Sequence, residues 1–255
     1  MIIMKTRFLT IALAVLAIFA TDARAQRSNA SIFRTWGFVG DSFCSGEMQC
    51  FDNDGKVVYA DMYEYSWGQQ LCRLCGSEGW NFSRGGQTAR GWLEDLRGQR
   101  GWGYARVQPK QAYIIAMGCN DYRMREEPGY SLEEYRTAME TIISNLKEVQ
   151  PKAHFFVLTR PMEPEREQGY DRWNDVVRSL PSKFSNVWVI DFYRDAPPYD
   201  KEFREQYFLN SHMSAAGYLW TAHFLMDSID AIIRSHPDEF RESALIGTPY
   251  RGTEK

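Results

Sequence analysis

At 255 residues and a formal net charge of −3, the chain is long enough for one α/β domain with a sizeable core. It is mildly acidic and carries no basic run, which makes it a poor fit to a polyanion; nucleic acid is not an expected partner.

The first 25 residues read as a signal peptide. Lys5 and Arg7 precede an almost wholly apolar run, Phe8–Ala20, and Ala23-Arg24-Ala25 places small residues at both cleavage positions. The run of 13 residues falls short of the roughly 20 that a membrane span needs. The expectation is cleavage before Gln26, export to the periplasm or medium, and no stable membrane insertion afterwards. Residues 26–255 then form a single domain with 27 basic and 32 acidic side chains, whose tail, 245–255, is polar and free to fray.

From residue 30 onward short apolar runs alternate with longer amphipathic ones. Ile32–Val39 reads as a strand and ends in Gly40-Asp41-Ser42, so a serine hydroxyl lies where a buried strand stops. Cys44–Asp61 reads as a long loop, and a disulfide between Cys44 and Cys50 would close part of it. Tyr65–Cys75 reads as a helix with Trp67, Leu71, Leu74 and Cys75 on one face. Cys72 and Cys75 are spaced like a zinc half-site or redox pair. No second Cys/His pair accompanies them, so no metal or organic cofactor is implied.

Gly79–Phe82 is a short strand, followed by Ser83-Arg84-Gly85-Gly86-Gln87-Thr88 and a helix over Thr88–Leu96. Ala112–Met117 is a strong strand, ended by Gly118-Cys119-Asn120-Asp121. Ser131–Val149 is the clearest helix: Ser131 and Glu134 form a capping box, and Tyr135, Met139, Ile142, Ile143 and Leu146 form its buried stripe. His154–Thr159 and Val187–Phe192 are further strands around a helix over Tyr170–Leu180; Arg160–Gly169 is a second long loop, Arg194–Tyr207 is irregular, and Ser214–Arg234 is the closing helix. Five strands alternating with helices imply a mostly parallel sheet covered on both faces.

Four pieces of this chain carry chemistry in a fixed order: Gly40-Asp41-Ser42, Gly85-Gly86, Gly118-Cys119-Asn120-Asp121 and His212. Together they resemble the SGNH (GDSL-type) esterase/lipase family. The resemblance implies a flavodoxin-like three-layer sandwich with strand order 2-1-3-4-5. It also implies a serine esterase: Ser42 as nucleophile, the Ser42 and Gly86 N–H groups and the Asn120 amide as oxyanion donors, and His212 as base. Each oxyanion donor stabilises such a transition state by about 3–4 kcal/mol. Asp41 and Asp121 would brace their turns.

The substrate expected is a small-molecule or glycan ester, with a short acyl group such as acetyl on carbohydrate favoured over a lipid or thioester. Tyr63, Tyr65, Trp67, Trp80, Trp92 and Trp102 are candidates for stacking on sugar. The family's last motif is Asp-x-x-His, and here Leu209 stands where the acid belongs. Three readings stay open: a carboxylate from elsewhere (Asp191, Asp200, Glu202 or Glu205) reaches His212; a backbone carbonyl or Asn210 orients the ring; or the protein is a weakly active or inactive carbohydrate-binding relative.

Overall fold

Strand residues that are apolar at nearly every position need cover on both faces, and the computed structural model provides it. It describes residues 28–252 except Arg97, Gln99 and 166–168; the signal segment of the sequence reading lies outside the described residues. In chain order the elements are β1 (Thr35–Gly40), α1 (Ser42–Ser45), β2 (Glu47–Phe51), β3 (Val57–Asp61), α2 (Trp67–Cys75), β4 (Glu78–Asn81), α3 (Ala89–Leu93) and α4 (Trp102–Ala105). There follow β5 (Ala112–Ala116), α5 (Cys119–Arg123), α6 (Leu132–Val149), β6 (His154–Leu158), α7 (Tyr170–Ser179), β7 (Val187–Ile190), α8 (Phe192–Asp195), α9 (Lys201–Tyr207), β8 (Phe208–Leu209), β9 (His212–Met213) and α10 (Ala215–Ser235).

The central sheet is parallel, in the order β4-β1-β5-β6-β7, which is 2-1-3-4-5 when only its own strands are counted. Alternate side chains divide the interior into two cores. Trp36, Phe38, Ile114 and Phe156 face α2 and α10, where they meet Leu71, Tyr218, Leu225 and Ile229. Val39, Tyr113, Ile115, Phe155 and Val157 face α3, α6 and α7, where Trp92, Met139, Ile143 and Trp173 close over them. Gly37 is required on β1 because a Cβ there would stand 2.5 Å from the Tyr113 ring. The capping box of α6 forms as expected, with Ser131 N donating to Glu134 Oε2 at 2.8 Å and Glu134 N to Ser131 Oγ at 3.3 Å.

Several expectations are corrected. The segment 44–61 is not a loop: β2 and β3 pair antiparallel, Glu47 opposite Asp61 and Phe51 opposite Val57, around a turn in which Asp52 Oδ1 accepts from the Asp54 and Lys56 N–H groups. The irregular stretch 194–207 holds α9, capped by Asp200 Oδ1, which accepts from Phe203 N at 2.9 Å. No disulfide joins Cys44 to Cys50. All five cysteines are free, and Cys44 is fully buried against Ser83 while Cys50 lies out on β2. At the other end Ile246 is core, 4% exposed, and its carbonyl accepts from Gln111 Nε2 at 2.9 Å, so packing reaches into the segment read as a tail. No helix among the described residues is long and apolar enough to cross a membrane.

Candidate active site

The four motif pieces come from the carboxyl ends of three neighbouring strands and from the chain entering α10. Asp41 caps α1, its Oδ1 accepting from Phe43 N at 3.1 Å, so Ser42 occupies the first helical position. A backbone N–H there has no acceptor within its own helix. Gly86 lies in the turn after β4 with φ +73°, a conformation that favours glycine. Asn120 lies in α5 directly after β5; its Nδ2 donates to Gln87 O at 2.9 Å, which holds Asn120 beside the Gly86 turn. An amide nitrogen has two hydrogens, so one remains for an oxyanion. Asp121 Oδ1 accepts from Ala89 N at 2.9 Å and ties the same turn to α3.

His212 packs against the residue next to Ser42. The Phe43 ring lies 5.3 Å from the His212 ring, centroid to centroid, and Tyr59 of β3 flanks the imidazole at 5.8 Å. Among the described residues no hydrogen bond joins Ser42 Oγ to the ring. Asp61 links the remaining pieces: its Oδ1 accepts from Ser45 Oγ in α1 and from Gly85 N, the latter at 3.2 Å.

The carboxylate that meets His212 is one sequence reasoning missed. Glu47, the first residue of β2, places Oε1 3.2 Å from His212 Nε2, and both side chains are largely buried. The other nitrogen, Nδ1, lies 3.0 Å from Ser211 Oγ. Ser211 in turn is held by Gln49 of β2, whose Oε1 receives both the Ser211 N–H, at 3.0 Å, and the Ser211 hydroxyl. Asn210 is engaged elsewhere: with φ +59° it forms the β8–β9 turn, and its Nδ2 donates to Gln49 O at 3.3 Å. The other candidate acids are engaged elsewhere. Asp191 pairs with Arg178 at 2.8 Å, Asp200 caps α9, Glu205 faces Lys201, and Glu202 stands exposed in the first turn of α9.

Burial, aided by the Arg123 guanidinium and opposed by the Asp61 carboxylate, brings the His212 imidazole down to about 4. The Glu47 carboxylate at 3.2 Å pulls toward the charged form. Burial raises Asp41 to about 7 and Asp121 to about 6. Beside them, at the end of β6, is a cation that the sequence reading left inside a loop: Arg160, 8% exposed, pairs with Glu163 at 2.7 Å and stacks its guanidinium over Tyr170 at 4.2 Å. Asp41, Phe43, Cys119, Arg160, Phe192 and Tyr199 line a cavity of about 80 Å³ at the start of α1. A second, open groove of about 530 Å³ runs along β4, lined by Asp61, Tyr63, Tyr65, Trp80, Arg100 and Tyr104. Trp67 and Trp92 are fully committed to the cores. Among the described residues no cluster of His, Cys, Asp and Glu could hold a metal ion.

Solved structures share this fold at low sequence identity. A carbohydrate esterase family 2 enzyme of Corynascus thermopiles (Myceliophthora fergusii) aligns with a TM-score of 0.59 at 15% identity, over 79% of this chain and 67% of that one. The psychrotrophic esterase EstA of Pseudoalteromonas sp. aligns at 0.57 and 15%, over 79% and 99%. The acetyl xylan esterase AlAXEase aligns at 0.56 and 12%, over 76% and 99%. A search of curated proteins returns no match. The model of the GDSL-like lipase/acylhydrolase family matches residues 38–220, from β1 into α10, and the chain belongs to that family of ester-bond hydrolases.

Proposed function

We propose that the protein is a serine esterase that removes short acyl groups, acetyl foremost, from carbohydrate. In this reading Ser42 Oγ attacks the ester carbonyl while His212 takes its proton. The Ser42 and Gly86 N–H groups and the second Asn120 amide hydrogen hold the oxyanion. The imidazolium is stabilised by Glu47 and then protonates the leaving alcohol; water, activated by the same imidazole, releases the acid. The observation that carries the reading is Glu47 Oε1 at 3.2 Å from His212 Nε2, a carboxylate at the base of a family member whose usual acid position holds Leu209. That contact argues against a degraded site.

The small cavity beside Asp41 suits a short acyl chain better than a long one. The groove along β4 suits a glycan: Tyr65 and Tyr104 are 46% and 38% exposed, and its Arg100 is already stacked 3.8 Å over Tyr63 and bonded to Asn81 O. Exposed tyrosine faces with hydroxyls match a neutral sugar ring better than an anion or an aliphatic chain. The acetyl xylan esterase and carbohydrate esterase neighbours agree with that class. The test is hydrolysis of p-nitrophenyl acetate, p-nitrophenyl octanoate and acetylated xylan, with Ser42→Ala beside the wild type. Acetate and acetylated xylan turned over, octanoate poorly, and all activity lost in Ser42→Ala is the expected result. Equal rates for Ser42→Ala and wild type would sink it. Export belongs to the same proposal and rests on the Met1–Ala25 pattern; an intact mass beginning at Gln26 in the exported fraction checks it.

A further inference from the structure

A triad acid performs two tasks: it holds the imidazole in the tautomer whose proton is on Nδ1, and it stabilises the imidazolium once Nε2 is charged. Among the described residues the group at Nδ1 is the Ser211 hydroxyl and not a carboxylate. The donors and acceptors around Ser211 nevertheless fix where the proton must be.

The backbone N–H of Ser211 donates to Gln49 at 3.0 Å. A backbone N–H needs an acceptor, so the Gln49 atom it meets is the carbonyl oxygen and not the amide nitrogen, which settles the orientation of that side chain. The same oxygen receives Ser211 Oγ. A carbonyl oxygen has no hydrogen to give, so the single hydroxyl proton of Ser211 is spent on Gln49. Ser211 Oγ also lies 3.0 Å from His212 Nδ1, and with its proton committed it can only accept there. Nδ1 must therefore carry the hydrogen. The lone pair of the neutral ring is then on Nε2, so the contact with Glu47 at 3.2 Å becomes a hydrogen bond only once the ring is protonated.

We infer that Gln49 and Ser211 form an uncharged relay that positions the His212 tautomer, so that the two tasks of the missing acid are divided, the tautomer going to Gln49–Ser211 and the charge to Glu47. The division follows from the fold. Residue 47 and residue 49 project from the same face of β2, two apart on a strand. That face meets the β8–β9 hairpin, which Asn210 pins by donating to Gln49 O. One strand therefore addresses both nitrogens of the ring. Ser211 and Gln49 act through His212; they are positioning residues.

The kinetic part of the inference rests on the esterase reading, but the tautomer does not, and the experiment separates them. Long-range ¹H–¹⁵N spectra of the imidazoles are recorded on the wild type, with His212 identified among the four histidines by the signal missing in His212→Gln. The neutral His212 ring is expected protonated on Nδ1. In Ser211→Ala and in Gln49→Ala it is expected to revert to the Nε2–H form that free imidazole favours, while Ser211→Thr, which keeps the hydroxyl, retains Nδ1–H. On p-nitrophenyl acetate the two alanine variants should lose roughly 10- to 100-fold in kcat with KM unchanged, the scale typical of a second-layer orienting hydrogen bond, and Ser211→Thr should recover most of it. Wild-type His212 found as the Nε2–H tautomer, or the Nδ1–H form persisting in both alanine variants, overturns the relay. If no ester is hydrolysed by the wild type, the function fails while the spectra still decide the tautomer.

Discussion

Glu47 and His212 are a coupled acid and base held in a partly closed space, and their titration is open to measurement. In the proposed mechanism His212 must be neutral to accept the Ser42 proton, so activity should fall as pH drops through its pKa. Burial and the Arg123 and Arg204 guanidiniums lower that value; Asp61 and Glu47 raise it. The balance is downward, so the acid limb of kcat/KM should lie below the ordinary histidine value of about 6.5. Glu47→Gln removes one of the two groups that favour the imidazolium. The acid limb should then move to still lower pH, and kcat should fall by about tenfold, near the 1.4 kcal/mol that one such charge contact supplies. A limb that stays in place in a pH–rate profile of Glu47→Gln would mean that the carboxylate does not act on the ring.

The two hairpins and the Gly85 turn form the element on which this depends. A Cβ on Gly85 would stand 1.8 Å from Glu47 Oε2. The side chain of Glu47 can swing away at little cost to the fold, so Gly85→Ala should push the carboxylate off His212. The expected outcome is a kinetic defect like that of Glu47→Gln with little change in Tm; a wild-type pH profile would show that the turn and the acid are independent.

This hairpin is also where legibility in the sequence ended. Asp54-Gly55 between Glu47–Phe51 and Val57–Asp61 is a hairpin signal, two runs of strand length around a turn pair. Read as one loop, the segment hid the pairing that puts residues 47 and 49 on one face. Its docking against β8–β9 joins positions 161 and 162 residues apart, a contact no local pattern announces. Ser42, Gly86 and Asn120 were easier to place, since each follows a strand that local periodicity marks; the roles proposed for them and for His212 came from the family resemblance.

For the molecule as a whole, alternation and right-handed crossovers left few arrangements for strands buried on both faces, and the family resemblance selected the order among them. The same double burial governs stability against pH. Asp41 keeps its proton to about 7 in the fold but only to about 3.8 when unfolded. Between those limits the native state binds more protons, so stability falls as pH rises, by up to about 1.4 kcal/mol per unit from this group. Asp121 acts in the same sense up to about 6. His154, which burial and the Lys147 ammonium hold at about 4, acts in the opposite sense below its ordinary value of 6.5, since there the native state binds fewer protons. Asp41→Asn removes the first contribution and keeps a side-chain oxygen to cap Phe43 N. Its Tm relative to wild type should be more favourable at pH 8 than at pH 5; an equal difference at both would show that Asp41 ionises freely. Because the five thiols are free, a reducing agent should leave either melting curve unchanged.

Gln49 Oε1 gathers both donors of Ser211 onto a single atom. That grip uses oxygen alone, and glutamate offers the same atom on a side chain of equal length. A glutamine codon becomes a glutamate codon by one base. The chain therefore lies a single base change from a Glu–Ser–His wire bearing negative charge.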